Sequence, residues 1–214
     1  MTARGRFITL EGIEGAGKST VAGALRDLLL ASGRRCLVTR EPGGTPLAER
    51  LRRIVLERGD EAVSPEVETL LMFAARGVHL DNLVRPALER GDWVICDRFT
   101  DATRAYQGGG RGMDTTFIES LAAGVQRGLE PDLTLILDLP VATGLARAQA
   151  RRLAAGETVV DRFESEALQF FERVRGRYLQ IAREHPQRCR VIDAAAPVES
   201  VKAAAETVLQ PLLA

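Results

Sequence analysis

The sequence predicts an α/β fold, in which a parallel five-stranded sheet lies between layers of helices. Five short apolar runs alternate with amphipathic stretches of helical length along the 214 residues. Apolar runs of this kind are typical of strands buried on both faces, and their alternation with helices favours a parallel sheet. Charged residues stand at the ends of four runs, at Glu11, Arg40, Asp97 and Asp138. Because ligands of such sheets bind beyond the carboxyl ends of the strands, the pattern also indicates where the functional site lies.

The elements can be assigned in order along the chain. The predicted strands lie at residues 7–10, 36–39, 93–96, 133–139 and 190–192. The predicted helices lie at residues 18–32, 46–56, 141–154, 164–184 and 198–212, with another that begins at Pro65. Gly33 ends the first helix, and Ser64 and Asp114 are suited to cap helix N-termini. Residues 97–112 are predicted as a loop, residues 156–160 as a mobile break, and residues 1–214 as one domain.

Composition excludes several classes of protein. Lys plus Arg (29) balances Asp plus Glu (29), so the chain lacks the basic excess expected of a protein that coats nucleic acid. Three separated cysteines predict free thiols in a reducing compartment, and two separated histidines disfavour a zinc site. No signal peptide or membrane span is visible, so we expect a cytoplasmic protein that binds no membrane.

Residues 12–19 fit the phosphate-binding pattern G-x-x-x-x-G-K-[ST], and they lie between a predicted strand and a predicted helix. Such a P-loop turns backbone N–H groups towards the phosphates of ATP, while its lysine reaches the β- and γ-phosphates. Its serine, here Ser19, is expected to hold Mg²⁺. The expected ATP-binding residues are Gly12, Ile13, Glu14, Gly15, Ala16, Gly17, Lys18, Ser19 and Thr20.

The remaining motifs separate the P-loop classes. A GTPase needs an N-K-x-D guanine motif, and the sequence has none. Clusters rich in Arg and Gly follow the second and third strands instead, at residues 40–45, 97–98 and 106–111. Fixed cations at strand ends are suited to a second, anionic substrate. The sequence therefore favours a kinase of the P-loop class.

Over nearly its whole length the chain resembles bacterial thymidylate kinases. The resemblance is carried by the P-loop, residues 40–45, 73–76, 97–98, 106–111 and 161–164. It implies ATP-dependent phosphorylation of dTMP to dTDP, the P-loop three-layer sandwich of nucleoside monophosphate kinases, Mg²⁺ and a homodimer. It also implies a small lid at about residues 147–164.

The resemblance assigns roles to individual residues. Arg40 and Arg98 are expected to bind the dTMP phosphate, Phe73 to stack on thymine, Arg76 to bond its edge, and Tyr106 to pack on the sugar. The full set expected at the dTMP site is Glu11, Arg40, Phe73, Arg76, Arg98, Thr103, Tyr106 and Gln107. The residues expected to be catalytic are Lys18, Arg98, Arg151 and Asp97, and the metal site is assigned to Ser19 and Asp97.

The lid is expected to supply a cation to the transferring phosphoryl group, because the variable P-loop positions contain no Arg. The candidate arginines are Arg147, Arg151, Arg152 and Arg162, of which Arg151 is favoured. Gln149 departs from a common lid pattern that has another Arg there. Glu164 fits either a metal or water ligand or a solvated helix start.

Two other functions remain open from the sequence. A deoxynucleoside kinase would need a carboxylate base for its neutral hydroxyl acceptor, and Glu41 could supply it. The additional cation of Arg40 argues against a neutral acceptor. A nucleotide-dependent switch or binding module would need switch motifs, and it would leave the second set of motifs unexplained.

Overall fold

The computed structural model describes residues 4–57, 61–156, 162–163 and 166–213. Its strands are β1 (Phe7–Glu11), β2 (Cys36–Arg40), β3 (Trp93–Asp97), β4 (Leu133–Asp138) and β5 (Cys189–Asp193). They form one parallel sheet in the order β2-β3-β1-β4-β5. The predicted sheet is confirmed, and each strand end lies within one residue of its predicted position.

The described helices flank this sheet. They are α1 (Lys18–Ala31), α2 (Pro46–Leu56), α3 (Pro65–His79), α4 (Arg85–Glu89), α5 (Thr100–Thr103), α6 (Thr115–Gln126), α7 (Val141–Ala154), α8 (Leu168–Glu184) and α9 (Val198–Leu209). Ile8 and Leu10 of β1 join an apolar cluster that contains residues of α1, α8 and α9, whereas Phe7 joins another that contains residues of α4. The sheet is therefore covered on both faces, as its apolar strands predict.

Helix ends follow the predicted capping chemistry. Ser64 Oγ accepts a hydrogen bond from Val67 N, and Asp114 accepts one from Thr116 N. Gly33, with a φ of 74°, directly follows the end of α1 and its cap Ser32. Each of these local patterns places a helix boundary where the sequence predicts it.

The predicted loop at residues 97–112 is wrong. Most of it is helical, because α5 continues into a π-helix at Arg104–Gly110. Three consecutive glycines disfavour a helix in isolation, but here they allow it to pack closely against α8. A Cβ added to Gly109 would lie 2.7 Å from Arg177 Cβ. Tertiary contact with α8 therefore outweighs the low helix propensity.

The helix predicted from Glu164 starts later, at Leu168, with Ala167 as its N-cap. The predicted break at residues 156–160 lies outside the described residues beyond Gly156, as does Glu164. The helix α7, which carries three of the arginines predicted for the lid, has its predicted bounds. Glu11, Arg40, Asp97 and Asp138 end β1 to β4 as expected.

Candidate active site

A cavity of about 480 Å³ opens beyond the carboxyl ends of the strands. Its walls come from the P-loop, the ends of β2 and β3, the helices α2, α3, α5 and α7, the π-helix at Arg104–Gly110, and Phe163. The described residues that line it are Glu14, Gly15, Gly17, Lys18, Ser19, Arg40, Glu41, Pro42, Arg52, Leu56, Met72, Arg76, Asp97, Arg98, Phe99, Ala102, Thr103, Tyr106, Gln107, Arg151 and Phe163. Residues of the predicted phosphate loop and six of the eight predicted acceptor-site residues therefore share one space.

The P-loop is shaped by close backbone approach. Gly12 and Gly15 have φ values of 133° and 72°, in a region that side chains with a Cβ rarely adopt. A Cβ on Gly12 would lie 2.5 Å from Leu137 O, and one on Gly144 of α7 would lie 2.6 Å from Glu14 O. The loop is thus packed between the end of β4 and the N-terminal half of α7. This packing fixes the direction of its N–H groups.

Lys18 lies over this loop. Its Nζ donates to Gly12 O at 3.2 Å and to Ile13 O at 3.0 Å. Burial, followed by the nearby charge of Arg98, lowers the pKa of Lys18 to about 8. These two hydrogen bonds hold the ammonium group within the P-loop, where backbone N–H groups bind phosphates in proteins of this kind.

The predicted ATP-binding residues divide into two groups. Glu14, Gly15, Gly17, Lys18 and Ser19 line the cavity. The side chains of Ile13 and Ala16 are buried in the core, so these two positions have only backbone atoms to offer. Gly12 and Thr20, like Ile13 and Ala16, are not among the described residues that line the cavity, and these four residues form the second group.

Asp97 and Ser19 both line the cavity, and Asp97 carries an oxygen that suits a cation. Its Oδ1 is buried and has no protein hydrogen-bond partner among the described residues. A buried acceptor without a partner is costly unless a ligand satisfies it. Carboxylate and hydroxyl oxygens are ligands that Mg²⁺ prefers, so the residues present fit this metal.

Arg98 joins the P-loop to the acceptor side of the cavity. Its Nη1 donates to Gly12 O at 3.0 Å and to Tyr178 Oη at 3.3 Å. Its Nη2 donates to Glu14 Oε1 at 2.9 Å and to Tyr106 Oη at 2.9 Å. These bonds fix a guanidinium group between the two regions where phosphates are expected.

Tyr106 reaches the same cluster from the π-helix. Its hydroxyl donates to Glu14 Oε2 at 2.8 Å, and its ring lies 4.6 Å below the Arg98 guanidinium carbon. Phe163 meets this ring edge-on, with centroids 5.9 Å apart. The predicted sugar-facing residue is therefore held rigidly in the cavity wall.

Arg76, which is 3% exposed, also lines the cavity. Its Nε donates to Glu41 at 2.7 Å, and its Nη2 donates to Phe99 O at 3.1 Å and to Thr103 Oγ1 at 3.0 Å. Its Nη1 is buried with no partner among the described residues. Arg76 therefore offers one fixed donor to a ligand, and the predicted residues Thr103 and Gln107 line the cavity beside it.

The predicted stacking role of Phe73 is not supported. Phe73 is 2% exposed, packs with Ile118 and Ala122 of α6, and is not among the described residues that line the cavity. The guanidinium carbon of Arg76 lies 4.6 Å from the centroid of its ring, so Arg76 separates this ring from the cavity. Its neighbour Met72 lines the cavity instead. Successive helix positions point about 100° apart, so the turn of α3 that brings Arg76 to the cavity also brings Met72 there.

Glu11, which is expected at the dTMP site, is not among the described residues that line the cavity. It is fully buried behind the cavity, where Oε1 accepts from Phe99 N at 2.8 Å and Oε2 accepts from Tyr178 Oη at 2.8 Å. Burial, and secondarily Asp101, raises the pKa of Glu11 to about 7. The residue braces the turn that carries Arg98 and has no face on the cavity.

Arg40 lines the cavity but is already partnered. Its Nη2 contacts both carboxylate oxygens of Glu49, at 3.1 and 3.2 Å. Glu49 also accepts from Gly44 N at 2.9 Å. The side chain of Arg40 is about half exposed, so this pair leaves the guanidinium group accessible to a phosphate.

The lid arginines have different surroundings. Arg151 lines the cavity. Arg147, one helical turn earlier, donates to Ala194 O at 2.8 Å, and Arg162 donates to Glu68. Of these three, Arg151 alone lines the cavity.

Glu41 is a poor candidate for a general base. It is 4% exposed and accepts hydrogen bonds from Arg76 and from His79 Nδ1, at 2.7 and 2.9 Å. Burial alone would raise the pKa of Glu41, but Arg76 and His79 outweigh it and hold that pKa below its usual value. A carboxylate held ionised by an ion pair has little tendency to take a proton from a hydroxyl.

Sequence reasoning missed several lining residues, among them Arg52, Leu56, Met72, Ala102 and Phe163. The apolar members carry no chemical signature that separates a cavity wall from a core position. Arg52 carries such a signal only in its charge, and its Nη1 donates to Pro42 O at 2.9 Å.

A phosphate-binding loop that shares one cavity with Arg76, Arg98 and Tyr106 suits an enzyme that brings a nucleotide donor against an acceptor. The fold and the site together define a P-loop nucleotide kinase. A family model described as thymidylate kinase matches residues 10–205. The chain belongs to the thymidylate kinase family.

Curated relatives match along almost the whole chain. A thymidylate kinase from Pseudomonas savastanoi pv. phaseolicola is 55% identical over 209 residues, 98% of this chain and 97% of the relative. One from Bordetella petrii is 51% identical over 212 residues, 99% of this chain and 98% of the relative. The crystal structure of thymidylate kinase from Ehrlichia chaffeensis superposes with a TM-score of 0.77 at 32% identity, covering 97% of this chain and all of that one.

Proposed function

We propose that this kinase transfers the γ-phosphoryl group of ATP to dTMP, giving dTDP and ADP. The observation that carries this proposal is the shared cavity, which is lined both by Lys18 of the P-loop and by Arg76, whose buried Nη1 has no partner among the described residues. Family membership supports the same reaction. The ion-paired state of Glu41 disfavours a neutral hydroxyl acceptor, and no observation favours a switch.

The reaction needs positioning more than proton transfer. The attacking atom is an oxygen of the dTMP phosphate, whose second pKa of about 6 leaves it anionic near neutral pH. Lys18 turns from Gly12 O and Ile13 O to the β- and γ-phosphates. Arg98, held between the P-loop and Tyr106, offsets the repulsion between the two anions. Arg151 adds positive charge from the lid.

Mg²⁺ is the second part of the proposal. Ser19 and Asp97 would hold it, directly or through water, since Asp97 Oδ1 has no partner in the described part of the chain. When bound, the metal neutralises charge on the β- and γ-phosphate oxygens. The sequence assignment of these two residues to the metal fits their positions in the cavity.

The base end is proposed to select thymine by the polarity of its edge. Arg76 Nη1 is a donor suited to the O4 carbonyl of thymine. Gln107, which lines the cavity, donates its amide nitrogen to Glu68 at 2.8 Å, so its oxygen remains to accept from N3–H. Cytosine presents the reverse pattern, and Met72 offers an apolar surface to the ring.

We also propose that the enzyme is a cytoplasmic homodimer. Leu47 and Ile54 of α2 and Val67 and Leu70 of α3 are apolar side chains between 46% and 58% exposed, a pattern that suits an interface. Its three cysteines are free thiols, which suits a reducing compartment. Among the described helices, none has the length and hydropathy needed to cross a bilayer.

The function is tested by measuring ADP release from ATP with dTMP, dUMP, dCMP, dGMP and thymidine as acceptors. We expect the highest kcat/KM with dTMP and no turnover with thymidine. Faster turnover with thymidine than with dTMP would instead support a deoxynucleoside kinase. Release of ADP that no acceptor accelerates would support a switch or a simple ATPase.

A further inference from the structure

We propose that Glu68 is a positioning residue that sets the base selectivity of the site by holding the side-chain amide of Gln107 in one orientation. The inference rests on the proposed function, and it concerns a residue that has no direct access to the cavity. Glu68 lies on α3, two turns before Arg76, and its side chain is 2% exposed.

The contacts of Glu68 divide between its two oxygens. Oε1 accepts from Gln107 Nε2 at 2.8 Å, and Arg111 Nε lies 3.5 Å from the same oxygen. Oε2 accepts from Arg162, with Arg111 Nη2 at 3.4 Å from the same oxygen. Two guanidinium groups therefore compensate the charge of a carboxylate that is buried almost completely, which is the condition under which a buried charge is tolerated.

This arrangement fixes which atom of Gln107 faces the carboxylate. An ionised carboxylate only accepts hydrogen bonds, whereas an amide has a donor nitrogen and an acceptor oxygen. Turning the amide over would place the Gln107 oxygen against a Glu68 oxygen, leaving two acceptors in contact within a buried site. Such an unpaired buried group costs enough to exclude the turned state.

The orientation has a consequence in the cavity. Because Nε2 is turned to Glu68, the carbonyl oxygen of Gln107 is the acceptor that this amide can offer to a ligand. The cavity then presents a donor, Arg76 Nη1, and an acceptor, Gln107 Oε1. This pair matches a base with a carbonyl next to a ring N–H and opposes one with an amino group next to a bare ring nitrogen. Glu68 thereby determines selectivity without touching the substrate.

The substitution Glu68→Gln should reverse the orientation of the Gln107 amide. Arg162 and Arg111 Nη2 donate to Oε2 of Glu68, and in the variant they hold the amide oxygen at that place. The new amide nitrogen then faces Gln107. Gln107 then turns its oxygen towards position 68 and its nitrogen towards the cavity. The N3–H of thymine then faces the amide nitrogen of Gln107, which is also a donor. The unprotonated N3 of cytosine instead gains a hydrogen-bond donor.

The experiment compares dTMP with 5-methyl-dCMP, which keeps the methyl group and reverses only the edge. Dissociation constants for both are measured on wild type, Glu68→Gln and the control Glu66→Gln, an exposed position on the same helix. In Glu68→Gln we expect the preference for dTMP to fall by about tenfold or more, since unpaired buried groups give effects of that size. The kcat for dTMP should change less than about threefold, because base contacts are equal in ground and transition states.

A double variant distinguishes a change in the hydrogen-bonding group that faces the cavity from a general disturbance of the site. The double substitution Glu68→Gln with Gln107→Glu keeps one amide and one carboxylate, and it again leaves an acceptor facing the cavity. We expect it to recover part of the preference for dTMP, and it decides the matter if Glu68→Gln does not fold.

An unchanged preference in folded Glu68→Gln, or a double variant no more selective than the single one, would overturn the role of Glu68. The proposed function fails separately, if wild type itself does not prefer dTMP to 5-methyl-dCMP. The control Glu66→Gln should match wild type in both constants. A loss of selectivity there equal to that in Glu68→Gln would also overturn the proposal.

Discussion

At the scale of single residues, Glu11 shows how a buried carboxyl couples the fold to pH. Its pKa is raised from 4.5 to about 7 by burial and then by Asp101. In the folded protein it keeps its proton up to about pH 7, whereas in the unfolded chain it loses it at about pH 4.5. Its contribution to stability is therefore fully present below the lower value and is lost as pH rises through the higher one.

Glu11→Gln should remove this dependence, because the amide does not titrate. Relative to wild type, the free energy of unfolding of the variant should improve by about 2–3 kcal/mol between about pH 5 and about pH 8. Urea unfolding of both proteins at the two pH values measures this difference. A constant difference between the two proteins across that range would show that Glu11 does not titrate as described.

Met72 and Phe73 are neighbours with different environments, and they give a paired prediction. Phe73→Ala should lower the free energy of unfolding by about 3–5 kcal/mol, because the ring is buried against α6. Met72→Ala should mainly raise the KM for dTMP, because Met72 lines the cavity. Thermal unfolding and steady-state kinetics on both variants test the assignment. The opposite pairing of effects would restore the stacking role to Phe73.

These residues also show what the sequence can predict at this scale. Gly12 to Ser19 are recognisable because phosphate binding requires particular residue types at fixed spacing. Met72 and Phe73 are both apolar residues on one helix, and only the packing of α3 decides which of them faces the cavity. Glu68 gave no signal at all, since its role depends on contacts with residues distant in sequence.

At the scale of elements, the segment after β3 is the clearest departure from expectation. Three glycines at residues 108–110 favour a loop by local propensity. Contact with α8 converts them into part of a π-helix, which presents Tyr106 and Gln107 to the cavity. Local rules cannot predict this, because the stabilising partner lies some 60 residues further along the chain.

At the scale of elements, the helix α7 gives a testable prediction about two of its arginines. Arg151 lines the cavity, whereas Arg147 donates to Ala194 O. Arg151→Ala should lower kcat by about 10³ or more and leave the KM for dTMP nearly unchanged, as expected for a contact made in the transition state. Arg147→Ala on the same helix is the matched control and should have a smaller effect.

Steady-state kinetics with varied dTMP at saturating ATP provide both constants for this comparison. A larger loss of kcat in Arg147→Ala or Arg162→Ala would keep the lid in catalysis but assign the role to another arginine. If no single arginine matters, the lid serves only to cover the site.

At the scale of the whole molecule, the sheet was the most predictable feature. Five apolar strands leave few arrangements once helices alternate with them, and the observed strands agree within a residue at each end. The association of two chains is harder to predict from sequence, because exposed apolar residues do not show which surface would cover them.

The proposed homodimer gives a prediction at this scale. Leu70→Glu should shift the protein towards monomer, because it places a charge in the apolar face of α2 and α3. Leu30→Glu, on α1 and similarly exposed, is the control and should not. Size-exclusion chromatography with light scattering measures the mass of each. A wild-type mass of one chain, or dissociation of both variants alike, would contradict this interface.

The central claim is that one cavity holds ATP and dTMP and transfers phosphate between them. The most direct measurement follows ATP labelled in its γ-phosphate and asks where the label goes when dTMP is present. We predict that it appears in dTDP, and that Lys18→Ala lowers the rate of transfer by about 10²–10³ while the protein stays folded. Label that appears only in inorganic phosphate, or transfer to dTMP at the wild-type rate in folded Lys18→Ala, would contradict the account.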